Sequence, residues 1–195
     1  MLAAVILSGG ASSRMGSPKA LLAYQGRPFL EHLLEIAVHP QIGFRRVVLG
    51  ADAEPIAKAI HLQADEIVIN ADWEKGQLTS IQAALRSLPP GTDGILLCLI
   101  DHPLISASLI EELVKQFYKS GKPIVLPIYE GRRGHPLIFA ASLYDELLGA
   151  PLETGARAVV WAHSREVEEV PTNEEGCVLN LNDPETMNRA FGGAR

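Results

Sequence analysis

Cysteine is nearly missing from this chain, which carries two in 195 residues, Cys98 and Cys177. They lack metal-ligand spacing and stand in apolar surroundings, so they predict buried free thiols in a reducing cytoplasm. Positive charge is also short. Lys and Arg number 17 against 23 Asp and Glu, a net charge of -6, which argues against a nucleic-acid binder, whose phosphate contacts demand a basic face. No apolar run is long enough to cross a membrane, and no basic segment precedes the N-terminal one, so neither a membrane partner nor a secretory leader is expected. Repeats, low-complexity tracts and linkers are missing too. These absences leave one ordinary globular domain over residues 1–195, a size that allows a substantial core.

What is present starts at the N-terminus. The apolar run Ala3-Ala4-Val5-Ile6-Leu7 breaks into Ser8-Gly9-Gly10-Ala11-Ser12-Ser13-Arg14-Met15-Gly16-Ser17-Pro18-Lys19. A buried strand thus enters a glycine- and serine-rich loop bearing one Arg and ending on one Lys. Glycines allow backbone N–H groups to close around an anion, and Arg14 and Lys19 add the charge that a polyphosphate requires. The loop lacks the Gly-Lys-Ser/Thr of a P-loop, and Gly9, Gly10 and Gly16 do not have the dinucleotide-fold spacing. Pro18 further disfavours helical geometry at Ser17. A long irregular loop suits a triphosphate; a plain strand-to-helix turn with two surface cations also fits.

Further along, Val47–Leu49, Ile67–Ile69 and Gly94–Ile100 read as strands covered on both faces. Helical patterns alternate with them over Phe29–Ala37, Ala53–His61 and Leu78–Leu88, and another begins at Ser106, whose hydroxyl suits an N-cap. This alternation predicts a three-layer α/β/α sandwich. After residue 120 the strands Pro123–Tyr129 and His135–Phe139 flank a turn at 130–134 and predict a small antiparallel excursion at one edge. Two helices follow, roughly Ala141–Leu148 and Thr154–His163, then strands near Val167–Val170 and Val178–Leu181. A final helix is capped by Asp183, with Pro184 in its first turn.

Chemical residues concentrate at strand ends, where open α/β sheets bind ligands. Asp101 follows Leu96–Ile100 and suits Mg²⁺, which takes few protein oxygens plus substrate phosphates; a helix-flanking turn would explain it equally. Asn180 and Asn182 offer amide oxygens to the same ion, or act as turn residues before Pro184. Asn70, Gly76, Thr79 and Ser80 close the third strand and open a helix. Gly76 would admit a flat base or ribose, Thr79 and Ser80 would hydrogen-bond it, and Trp73 reads as packing. His135 at a strand start suits a structural role as well as a ligand, and Glu153 precedes Gly155-Ala156-Arg157 at a helix start.

Together these segments resemble the MobA-like NTP transferases, the nucleotidyltransferases that mature the molybdenum cofactor. The opening loop is similar to the family's signature loop. Asp101-His102-Pro103 resembles its metal-binding Asp-x-Pro, Gly134-His135-Pro136 its Gly-His-Pro, and Glu153-Thr154-Gly155-Ala156-Arg157 its Asp-x-Gly-Ala-Arg. Asn180-Leu181-Asn182-Asp183-Pro184-Glu185 resembles the closing motif. The Gly-His-Pro and Gly-Ala-Arg segments lean toward the cytidylyltransferase (MocA-type) branch. Ser8-Gly9-Gly10 and the Asn180/Asn182 pair are closer to the guanylyltransferases, His102 stands where cytidylyltransferases carry Gln, and Glu153 is one methylene longer than the usual Asp.

The resemblance implies a Rossmann-like, mostly parallel sheet of the nucleotide-diphospho-sugar transferase type. It also implies a cytoplasmic Mg²⁺-dependent enzyme that moves NMP from an NTP, CTP first, onto molybdopterin. Catalytic roles fall to Arg14, Lys19 and Asp101. Nucleotide binding falls to Leu7, Ser8, Gly9, Gly10, Ala11, Ser12, Lys19, Asn70, Gly76 and Ser80. The acceptor would meet His102, His135 and Glu153, and the metal Asp101, Asn182 and Asn180. A molybdoenzyme or its chaperone would be the protein partner. GTP as donor, another phosphate acceptor (sugar, alditol or cobinamide phosphate), and a non-catalytic nucleotide- or cofactor-binding protein are the alternatives.

Overall fold

The computed structural model describes residues 1–10 and 16–191; the candidate site residues Ala11, Ser12 and Arg14 lie outside the described residues. The strands are β1 (Leu2–Ser8), β2 (Ala23–Tyr24), β3 (Arg27–Pro28), β4 (Ile42–Leu49), β5 (Ile67–Ile69), β6 (Gly94–Leu99), β7 (Ile124–Tyr129), β8 (Arg132–Arg133), β9 (Leu137–Ala140) and β10 (Val167–Pro171). The helices are α1 (Phe29–Ile36), α2 (Ala53–Ala59), α3 (Gln77–Arg86), α4 (Ala107–Ser120), α5 (Tyr144–Gly149), α6 (Arg157–Ala162) and α7 (Pro184–Phe191). Among the described residues no helix is long and apolar enough to cross a membrane.

The main sheet runs β10-β7-β9-β6-β1-β4-β5, with β8 paired to β7, while β2 and β3 form a separate small hairpin. Its central strand β1 is buried throughout, and the pleat divides its side chains between two cores. Leu2, Ala4 and Ile6 join α1, α2 and α4 on one face. Ala3, Val5 and Leu7 join α3, α5 and α6 on the other. Both faces need covering because neither offers polar side chains to water, which makes the molecule a three-layer α/β/α sandwich with a mostly parallel sheet.

Two local expectations are corrected. The antiparallel strand β9 is not at an edge: it lies between β6 and β7, antiparallel to both. Leu137, Ile138 and Phe139 are apolar on both faces and are all buried, so an interior position suits them. The edge falls to β10, where Glu168 and Glu169 tolerate water. The second correction concerns the chain after residue 174. It forms a single 3-10 turn at Glu175–Cys177 and then irregular backbone instead of a strand. Leu181 is buried there as a packing residue, and its N–H donates to the Asp101 carbonyl at 2.8 Å. The expected caps are present. Ser106 Oγ accepts from the Leu109 N–H at 3.1 Å, and Asp183 Oδ1 accepts from that of Thr186 at 2.8 Å.

Candidate active site

The chain passes from β1 outward to β4 and β5, then crosses back through α3 to place β6 on the other side of β1. Strand order therefore reverses between β1 and β6, and open α/β sheets form their ligand crevice outside the C-terminal ends of the strands at such a reversal. A cavity of about 330 Å³ lies there, lined by Leu7, Ser8, Gly9 and Gly10 from the end of β1 and by Leu99, Ile100 and Asp101 from the end of β6. Lys19, Trp73, Gly76, Gln77 and Ser80 complete much of its wall.

Close backbone approach shapes this cavity. A Cβ on Gly50 would stand 2.2 Å from the Gly9 carbonyl oxygen and 2.7 Å from Trp73 Cβ, so only glycine lets the β4 end approach the β1 loop. Gly76 has φ +108°, a left-handed conformation that an L side chain rarely adopts. It turns the chain from the Trp73–Lys75 turn into α3. Asn70 supports the same wall from behind: its Nδ2 donates to Thr79 Oγ1 and Ser80 Oγ, each at 2.9 Å. Asn70 and Thr79 are buried and do not line the cavity, and the Thr79 hydroxyl already serves the Asp72 and Gly76 carbonyls. Ser80 does line it.

Lys19 starts a 3-10 turn, and its ammonium donates to Asn182 Oδ1. This contact and the Leu181–Asp101 hydrogen bond bring the closing segment beside the ends of β1 and β6. Asn180 Oδ1 is buried with no hydrogen-bond partner among the described residues. No group of three His, Cys, Asp or Glu side chains placed to hold a metal occurs among the described residues. The cavity wall offers the carboxylates of Asp52, Glu74 and Asp101, which do not cluster, while the Asn180 amide oxygen stands beside it without a partner among those residues and that of Asn182 is held by Lys19. Such an all-oxygen set fits a hard divalent cation that draws most of its ligands from phosphates and water.

A second cavity of about 480 Å³ adjoins the first, and Gln77 lines both. Its wall includes His135, Glu153, Arg133 and Arg157 around an apolar floor with Leu97, Leu126, Leu137 and Phe139. His102 is buried and lies behind, its ring centroid 5.1 Å from that of His135. Burial pushes the His135 pKa down to about 3, with His102 contributing further. Burial also lowers that of His102, opposed by the neighbouring Asp101 carboxylate. Both imidazoles are therefore neutral at neutral pH, and each has a buried Nδ1 with no hydrogen-bond partner among the described residues.

Of the sites expected from sequence, Leu7 to Gly10, Lys19, Gly76, Ser80 and Asp101 line the first cavity, and His135 and Glu153 the second. Asn70, His102, Asn180 and Asn182 line neither; they stand behind the walls or beside Lys19. Sequence reasoning missed Gly50, Asp52 and Gln77. The Gly50 signal was the glycine directly after an apolar strand, the same pattern that drew attention to Gly9.

A sequence model of the MobA-like NTP transferase domain matches residues 4–167. The chain belongs to this family. A molybdenum cofactor guanylyltransferase of Rhizobium meliloti is 33% identical over 200 residues, covering 96% of this chain and 89% of that protein. A nicotine blue oxidoreductase of Paenarthrobacter nicotinovorans is 28% identical over 194 residues, covering 95% and 94%. Among solved structures, Rv0371c of Mycobacterium tuberculosis superposes with a TM-score of 0.83 at 27% identity, covering 98% of each chain. A manganese complex of Rv0371c superposes at 0.76 and 23% identity, covering 99% of each chain. The MobA-like fold thus accounts for the switch-point cavity and for the sandwich around it.

Proposed function

We propose that this chain transfers a nucleoside monophosphate from GTP to the phosphate of molybdopterin, releasing pyrophosphate. The observation that carries the reading is the pair of adjoining cavities meeting at Gln77. One has a glycine-rich β1 end, Lys19 and Asp101; the other has an apolar floor and a polar rim. The first suits a nucleoside triphosphate and the second an acceptor. GTP is favoured over CTP by the 33% identical relative named a guanylyltransferase and by Ser8-Gly9-Gly10 and the Asn180/Asn182 pair.

Backbone N–H groups at Gly9 and Gly10 and the Lys19 ammonium hold the triphosphate and stabilise charge on its oxygens. The acceptor phosphate oxygen attacks the α-phosphorus in line, a new P–O bond forms, and the bond to the β-phosphate bridging oxygen breaks. That bridging oxygen leaves with the electron pair as part of pyrophosphate. The attacking phosphate is already anionic, so no strong base is required; positioning and charge neutralisation supply the rate. Asp101, with Asn182 and Asn180, would hold a divalent cation, Mg²⁺ or Mn²⁺, which when bound neutralises phosphate charge.

Incubation with each of the four NTPs and molybdopterin, followed by pyrophosphate release and dinucleotide formation, tests this reading. Turnover with GTP is expected. Turnover with CTP alone would move the chain to the cytidylyl branch, and no pyrophosphate with any NTP would overturn transfer. A redox reading has the 28% identical Paenarthrobacter relative in its favour. Oxidation of NADH or NADPH by a reducible heteroaromatic substrate, with no pyrophosphate release, would establish it instead.

A further inference from the structure

The chain has two tryptophans, and they divide between the adjoining cavities: Trp73 lines the first and Trp161 the second. Trp73 is wedged beside Gly50. Trp161, by contrast, is 60% exposed, an indole left largely in water at a cavity wall. Arg157 lies one helical turn before it on α6 and holds its guanidinium 5.9 Å from the centre of the indole ring. Across the same cavity, Leu97, Leu126, Leu137 and Phe139 form a floor that is nearly dry. Glu153 and Arg157 supply an acceptor and a set of donors at its rim.

A saturated, hydroxyl-covered ring would set hydroxyls against that floor and leave the exposed indole face without an apolar partner. A flat heteroaromatic ring matches it, since its faces are apolar and its edge carries N–H and C=O groups. We infer that Trp161 is the stacking face for a planar heteroaromatic ring of the acceptor. Glu153 and Arg157 read the ring's edge, and the acceptor's phosphate extends past Gln77 toward Lys19 and Asp101. The pterin class of the acceptor and the direction of its phosphate rest on the transferase reading; the stacking role of Trp161 rests on the cavity. Trp161 and Arg157 thereby set acceptor specificity and take no part in bond making.

Calorimetric titration of the whole protein with 6-carboxypterin, a planar heteroaromatic acid, and with glucose 1-phosphate tests this. The wild type should bind the pterin in preference to the sugar phosphate. Trp161→Ala should weaken pterin binding about ten- to hundredfold, the loss of one stacked ring, while Trp161→Phe restores most of it. In turnover, Trp161→Ala should raise the acceptor KM with little change in kcat, and GTP affinity, read from Trp73 emission, should stay put. Equal pterin binding by wild type and a folded Trp161→Ala, or preference for glucose 1-phosphate, would overturn the inference. Trp161-dependent pterin binding without pyrophosphate release from any NTP would uphold it and remove the transferase reading.

Discussion

Lys19 and Asp101 line one cavity, and each is held by a residue about eighty or more positions away. The Lys19 ammonium is held by Asn182, and the Asp101 backbone is tied to Leu181 by a 2.8 Å hydrogen bond. Half-buried, they are spared much of the screening that bulk water imposes on surface charges. Truncating either to Ala removes a charge aimed at the reacting phosphates, a loss worth at least about a hundredfold in turnover. Neither side chain belongs to the apolar cores, so Lys19→Ala and Asp101→Ala should unfold near the wild-type temperature. Pyrophosphate release beside a thermal melt checks both halves; near-normal turnover by either variant refutes the assigned role. At this scale the sequence was informative, because Lys19 and Asp101 each stand directly at the close of a recognisable apolar strand or loop. His102 was less legible. Its burial, and hence its neutral state, depends on the 175–177 turn, which its own neighbourhood does not announce.

Between elements, α5 and α6 are joined by one histidine. His163 Nε2 lies 2.9 Å from Glu146 Oε2 on α5, and its Nδ1 lies 3.0 Å from Glu166 Oε1 just beyond α6. These hydrogen bonds, Glu146 first, raise its pKa above the ordinary value. A group that binds its proton more tightly when folded stabilises the fold fully below its unfolded pKa of about 6.5. That contribution fades as pH rises through the folded pKa. His163→Ala should therefore lower the melting temperature more at about pH 5.5 than at about pH 8.5, where both proteins converge. An equal loss at the two pH values would show that the ring acts by packing alone. Because α6 carries Arg157 and Trp161, the same strut bears on the second cavity. The helices themselves were readable from hydrophobic periodicity, though α6 begins at Arg157 and not at Thr154. The position of β9 was not readable: an apolar strand of four residues fits equally well inside a sheet or under a cover, and pairing partners alone decide.

For the molecule as a whole, the two cysteines report on global integrity. Burial pushes the Cys98 thiol up to about 12 and the Cys177 thiol to about 11, the latter with help from Glu174. Both residues are fully covered. At about pH 8, where an exposed thiol is substantially reactive, a thiol-specific disulfide reagent should label neither in the native protein. Labelling should follow unfolding as denaturant rises; rapid stoichiometric labelling of the native state would contradict the packing. The amino-acid sequence by itself determined the alternation of buried strands and amphipathic helices, the caps at Ser106 and Asp183, and the glycine-rich β1 end. Each of these depends on residues close together in the chain. Only the tertiary structure decided that β6 returns to the far side of β1, that β9 sits inside the sheet, and that residues 180–182 stand beside Lys19 and Asp101. Those arrangements are set by which apolar faces find each other across long stretches of chain, and no local pattern encodes that choice.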